Sequence, residues 1–202
     1  MTICQIARNN AEQRIIKLLE VKATASVLTT DVVAAEILDD ERVDIEESAL
    51  QKISDRLIAK YKGHGMAKII AAILEAKGYK TYVSPPGPDN GVDILASQGA
   101  LGFDQPRICV QVKSGESPLE RAVLDQLIGA MSNHKADYGM LVSWGGFKST
   151  IQKEEASQFF KVRLWTHKEV VQEFLHHYSE LPEYIREAVP LKQIWIVDKN
   201  DV

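Results

Sequence analysis

The strongest constraint on the fold is a change of hydrophobic period at Gly63. From there Met66, Ile69, Ile70, Ile73 and Leu74 recur at i, i+3, i+4, i+7 and i+8. This is the apolar stripe of an amphipathic helix, and Gly78 supplies its C′ stop. Strand character then takes over at 79–83, 92–96 and 107–113, the last with Ile108, Val110 and Val112 alternating against polar neighbours. A breaker run, 84–91, separates the first two. Ser117-Pro118-Leu119-Glu120 has the form of a capping box with Pro at the first helical position. It predicts a helix with a buried stripe of Val123, Leu124, Leu127, Ile128 and Met131. A buried strand at 138–143 follows, then the loop Trp144-Gly145-Gly146-Phe147-Lys148, a helix over 149–160 and a strand over 162–165. Val170, Val171, Phe174, Leu175 and Tyr178 mark a long last helix. Strands interleaved with helices in this order predict the α/β class, with one central mixed sheet flanked by helices.

The segment before Gly63 reads as helices only. Ile15, Ile16 and Leu19 form a short stripe; a second helix starts from Thr30; a third, N-capped by Ser48, carries Leu50, Ile53, Leu57 and Tyr61. The acidic stretch Asp39 to Glu47 reads as a solvated loop and helix edge. The expected division is therefore a small all-helical segment over 1–62 and an α/β domain over 63–202. A DNA-binding module, a dimerisation element and simple packing all suit the helical segment. With 45% hydrophobic and 26% charged residues, the chain has a globular composition. Its apolar stretches are far short of a bilayer span, and its N-terminus lacks an apolar leader core. Cys4 and Cys109 are too few for a disulfide framework and lack metal-ligand spacing. A cytoplasmic protein with no membrane partner is the expectation. The net charge of −4 argues against a nonspecific polycation and confines any DNA contact to a locally basic groove.

Two pieces carry chemistry: Pro88-Asp89-Asn90-Gly91-Val92-Asp93-Ile94 and Val110-Gln111-Val112-Lys113. Residues two apart in a strand share a face, so Gln111 and Lys113 project to one side. Pairing of their strand with the one holding Asp93 brings together a carboxylate, an amide oxygen and an ammonium. Such a set suits phosphodiester hydrolysis: the oxygens match hard Mg²⁺, with Mn²⁺ an alternative, and the lysine orients water and stabilises charge on the phosphate.

Gly91-Val92-Asp93 followed by Gln111-Val112-Lys113 resembles the Mrr-type restriction endonuclease catalytic domain, the Gln-x-Lys variant of the PD-(D/E)xK nuclease superfamily. The helix ending at Gly78-Tyr79, the stretch Asp125 to Gly129 and the strand around Gly139 to Ser143 extend the likeness over roughly 63–178. The resemblance implies a restriction-endonuclease-like fold and a metal-dependent DNA endonuclease, used in restriction or defence against foreign or modified DNA. It implies that Asp93 ligates Mg²⁺, that Gln111 and the Val112 carbonyl are further ligands, and that Lys113 activates the water. Family members often carry a Glu in the first helix, whereas this chain has His64-Gly65-Met66-Ala67 there. Glu75 lies on the opposite side of that helix from the apolar stripe and is read as solvent-facing. Asp93 is then left as the anionic ligand.

Blander readings stand beside these. Asp93 suits a turn, Lys113 a surface strand end, Gln111 a half-exposed strand, and Cys109 a small buried position. His64 reads as a helix cap or a phosphate contact; His176 and His177 suit a helix end. In the 144–148 loop, Trp144 and Phe147 either pack under the adjacent helix or, with Lys148, the loop meets DNA phosphate. A non-catalytic DNA-binding or regulatory module on the same fold, and a structure-selective repair nuclease or resolvase, are the competing functions. A homodimer is expected on the ground that two antiparallel strands call for two sites, with the Leu50, Ile53, Leu57, Tyr61 stripe as its contact.

Overall fold

The computed structural model describes residues 30–87 and 91–194, with burial and side chains from residue 46. The chain divides into two compact units, Met1–Ser48 and Ala49–Val202. The expected helix at Ile15 to Leu19 lies outside the described residues. The helices expected from Thr30 and Ser48 are one continuous helix, α1 (Thr30–Tyr61). Its acidic middle contains neither Gly nor Pro, so nothing breaks the backbone ladder, and Ser48 is not an N-cap.

Within the second unit, α2 (His64–Ala76) is followed by β1 (Lys80–Val83), β2 (Ile94–Gln98) and β3 (Asp104–Lys113). These three strands pair antiparallel as a meander. The helix α3 (Arg121–His134) leads to β4 (Tyr138–Ser143), two short helices α4 (Ser149–Gln152) and α5 (Glu155–Gln158), and β5 (Val162–Thr166). Here the pairing turns parallel, β3 with β4 and β4 with β5, giving one mixed sheet in the order β1-β2-β3-β4-β5. Helices α6 (His167–His176) and α7 (Glu183–Ala188), joined by a 3₁₀ turn at Tyr178–Glu180, close the fold.

Alternation along the strands separates two cores. Val110 and Val112 of β3, Met140 and Val142 of β4, and Ile94 of β2 meet α2 (Ile69, Ile70, Ile73) and α6 (Val170, Phe174) on one face. Cys109 and Leu141 meet α3 (Leu124, Leu127) on the other, with Ile151 and Val162. Burial on both faces explains why β4 reads as an unbroken apolar run. Each large side chain so buried contributes about 1.5–3 kcal/mol.

Three local expectations are corrected. The helix after β3 opens at Arg121 with Glu120 as its N-cap, and not as a Ser117 to Glu120 box. Leu119 is held instead in a parallel bridge to Phe147, and the Glu120 carboxylate pairs with Lys148. The helix expected over 149–160 is two short pieces. Finally, α6 ends at His176, so Tyr178 sits beyond it and uses its hydroxyl to accept from the Leu191 amide and donate to the Val189 carbonyl.

Candidate active site

At the C-terminal end of β3 a cleft of about 610 Å³ opens between the start of α2, residues Pro85 to Gly87 with Asp93, and the loop after Lys113. Ligands of open α/β sheets bind at such strand ends. Its lining includes His64, Ala67, Asp93, Val112, Lys113 and Glu116.

Asp93 is placed by the ladder itself. Its amide donates to the Val110 carbonyl at 2.9 Å, and its carboxylate Oδ2 accepts from the Val112 amide at 2.7 Å. The side chain thus takes the place of a backbone acceptor where β2 begins, and the carboxylate is anchored beside the last residues of β3. Lys113, the final residue of β3, is exposed on the cleft, and no other residue of 110–113 is.

Gln111 is only 1% exposed, with its Nε2 close beside Gly91. Its Oε1 has no hydrogen-bond partner among the described residues. A buried carbonyl-type oxygen left unpaired costs roughly 1–3 kcal/mol, so its retention calls for a reason. Among the described residues no group of three or more His, Cys, Asp or Glu lies together as a metal cluster. The oxygens at hand are one carboxylate, one orphaned amide oxygen and a strand carbonyl. That donor set fits a hard divalent cation, which takes carboxylate and neutral oxygens and keeps waters. Asp93, Gln111 and the Val112 carbonyl are the groups able to hold it.

The remaining expectations fall as follows. His64 lines the cleft but does not cap α2; Gly63, with φ of 77°, holds the N-cap position. The amide of Gly63 donates to Ser114 Oγ at 2.7 Å, which ties the start of α2 to the end of β3. Glu75 is exposed and accepts from the Thr81 hydroxyl, away from the cleft. Phe147 is half-buried against the α3 core and Trp144 is buried in the α2 core. Lys148 pairs with Glu120, whose carboxyl is held below the usual range by that hydrogen bond. Neither Phe147 nor Lys148 lines the cleft. Cys109 is fully buried and its thiol is pushed up to about 11 by desolvation, which keeps it protonated and unreactive. Sequence reasoning missed Ser114 and Glu116. The polar run Ser114-Gly115-Glu116-Ser117 directly after the lysine was the available signal.

A mixed sheet of this order with Asp93 and Gln111-Val112-Lys113 at one strand end defines the class of restriction-endonuclease-like nucleases. The family description for the Mrr catalytic domain, a restriction endonuclease, matches residues 58–174, more than half of the chain, and the chain belongs to that family. Among solved structures, it is similar to the MspJI restriction endonuclease in complex with a 27-mer oligonucleotide, at 16% identity and a TM-score of 0.43. That match covers 82% of this chain and 39% of the MspJI chain, so this chain spans well under half the length of that protein. No curated protein matches the chain.

Proposed function

We propose that the chain is a divalent-cation-dependent DNA endonuclease, with Mg²⁺ or Mn²⁺ as cofactor, working in restriction or defence against foreign or modified DNA in the cytoplasm. In this reading residues 63–202 carry the chemistry and the helical segment 1–62 contributes target recognition or dimerisation. The observation that carries it is the orphaned Gln111 Oε1, buried two residues before Lys113 on the strand to which the Asp93 carboxylate is hydrogen-bonded. A buried polar atom with no partner among the described residues is accounted for if a ligand completes it.

Asp93, Gln111 and the Val112 carbonyl would hold the cation. When bound, it supplies Lewis-acid charge for the phosphate and lowers the pKa of a water. Lys113 orients the attacking water by hydrogen bonding and stabilises the charge that builds on the non-bridging oxygens. The Val112 amide fixes the Asp93 carboxylate, so the acid does not reorganise during the reaction. His64, at the cleft wall, contacts phosphate.

The test is supercoiled plasmid, modified plasmid and branched DNA incubated with the purified chain in Mg²⁺, Mn²⁺ or EDTA. Cleavage of plasmid with metal and none in EDTA is the expected result. DNA binding with no metal-dependent scission in any condition would establish the non-catalytic module instead. Branched DNA cut far faster than linear duplex would make the enzyme a resolvase or repair nuclease.

A further inference from the structure

A second concave surface lies on the sheet face that α3 covers. Among the described residues α3 packs over β3 and β4, while β1 and β2 on this face carry no comparable helix. Tyr82 pairs with Leu95 and Leu95 with Cys109, so the three share that face, and Tyr82 is left 59% exposed. A shelf of about 300 Å³ runs across it, lined in part by Lys80, Tyr82, Leu95, Leu101, Arg107 and His134. No carboxylate is in that lining, although the chain as a whole has a net charge of −4. Arg107 is steadied by donation from its guanidinium to the Phe103 carbonyl at 3.1 Å, which leaves its other donors for a ligand.

An exposed aromatic ring flanked by Lys80 and Arg107 is a platform for an unpaired nucleotide, the base on the ring and the phosphate on the cations. A duplex keeps its bases stacked inward and has no use for the ring. The shelf and the catalytic cleft lie at opposite ends of β3, with Cys109 and Gln111 buried between them. Arg107 and Lys113 alternate onto the same face of β3, and the separation along the strand is ~20 Å at ~3.3 Å per residue. That distance is the axial rise of about six nucleotides.

Resting on the endonuclease reading above, we infer that this shelf is a second DNA subsite, which holds an unpaired nucleotide about six positions from the scissile phosphate. The base stacks on Tyr82, Leu95 and Leu101 form the apolar floor, and Lys80, Arg107 and His134 take the phosphate.

Fluorescence anisotropy of the full chain in EDTA separates this binding from cleavage. The probes are a labelled blunt duplex and the same duplex with a single-stranded tail of about six nucleotides. The tailed DNA binds about tenfold tighter than the blunt one. Tyr82→Ala and the double variant Lys80→Glu, Arg107→Glu remove that preference, and Tyr82→Phe keeps it. Tyr82 is exposed, so its truncation leaves the core packing intact; circular dichroism checks the fold of each variant. Equal affinities for tailed and blunt DNA in the wild type, or a preference that survives Tyr82→Ala, overturn the subsite. A wild type that cuts DNA but shows no preference loses the shelf alone. One that shows the preference without ever cutting loses the endonuclease reading alone.

Discussion

Asp93 does two jobs with one carboxylate, and substitutions separate them. Asp93→Ala removes the acceptor of the Val112 amide in a half-buried position and costs about 1–3 kcal/mol of stability. Asp93→Asn keeps an oxygen there, so its melting temperature stays near that of the wild type while cleavage falls at least about a hundredfold, as for loss of a single essential electrostatic group. Plasmid nicking measured alongside thermal unfolding distinguishes the two. Gln111 yields the opposite trade. Gln111→Leu removes an unsatisfied buried oxygen, so the apo protein melts at the same temperature or a few degrees higher. The wild type is further stabilised by Mg²⁺ through its binding to the folded state, and the Leu variant is not; an equal Mg²⁺ shift in both would remove Gln111 from the ligand set. Cys109 makes a pH prediction. Its folded pKa is raised, so between the ordinary thiol range and about 11 the unfolded chain has lost a proton that the folded chain keeps. Stability is therefore full at lower pH and falls as pH rises through that window, by up to about 1.4 kcal/mol per pH unit. Cys109→Ala flattens that slope in unfolding measured at pH 8 and pH 10. Of this residue-level picture, the union of Asp93 and Lys113 at one cleft was legible, because strand alternation and the turn before Asp93 are local signals. The burial of Gln111 and the Asp93 bond to the Val112 amide were not, since they depend on how the start of β2 departs from regular pairing.

Elements were legible where burial is repetitive. The stripe of α2, its Gly78 stop with φ of 88°, and β4 follow directly from period and turn chemistry. The errors cluster where one element borrows partners from another. Leu119 and Glu120, read locally as the opening turn of a helix, are spent on Phe147 and Lys148 of the next connection. That coupling makes Gly145 critical. A Cβ there would collide with the Glu116 carbonyl and the Ser117 backbone, which belong to the loop that lines the cleft. At Gly139 an added Cβ would meet Met131 Sδ at 2.6 Å and Leu127 at 3.2 Å, both of which are side chains on α3. Each Ala substitution is expected to cost about 1–3 kcal/mol by overpacking. Their effects on catalysis differ. Gly145→Ala moves cleft backbone and lowers cleavage at least about tenfold, because small displacements of positioning groups are costly. Gly139→Ala, assayed well below its melting temperature, cuts at close to the wild-type rate. Equal activity losses in the two variants would disconnect the Leu119 to Phe147 contact from the site.

At the scale of the whole molecule, the sequence contains one Asp93, Gln111, Lys113 set and no repeat of it. The stripe expected to join two copies is used within the chain: Leu57 is fully buried, and Ile53 and Tyr61 pack partly buried against the α2 core, with Leu50 at 37% exposure. That outcome was not legible from period alone, since an apolar stripe records that something covers it and not what. The chemistry still requires two strand cuts for a double-strand break. One site has to release and rebind after the first cut, or two copies have to meet on the DNA. The first route makes nicked plasmid accumulate ahead of linear product, with both rates proportional to protein concentration. The second makes linear product rise more steeply than nicked product as concentration increases. Mixing in the Lys113→Ala chain decides between them. Assembly on the DNA turns mixed pairs into nicking enzymes, so the nicked-to-linear ratio climbs as the inactive fraction grows. Independent sites leave that ratio unchanged apart from dilution. With the Leu50 to Tyr61 stripe packed within the chain, this chain is expected to follow the first course in the absence of further partners, nicking before it linearises. Linear product with no nicked intermediate, from a chain that light scattering finds monomeric, would rule out single-site nicking.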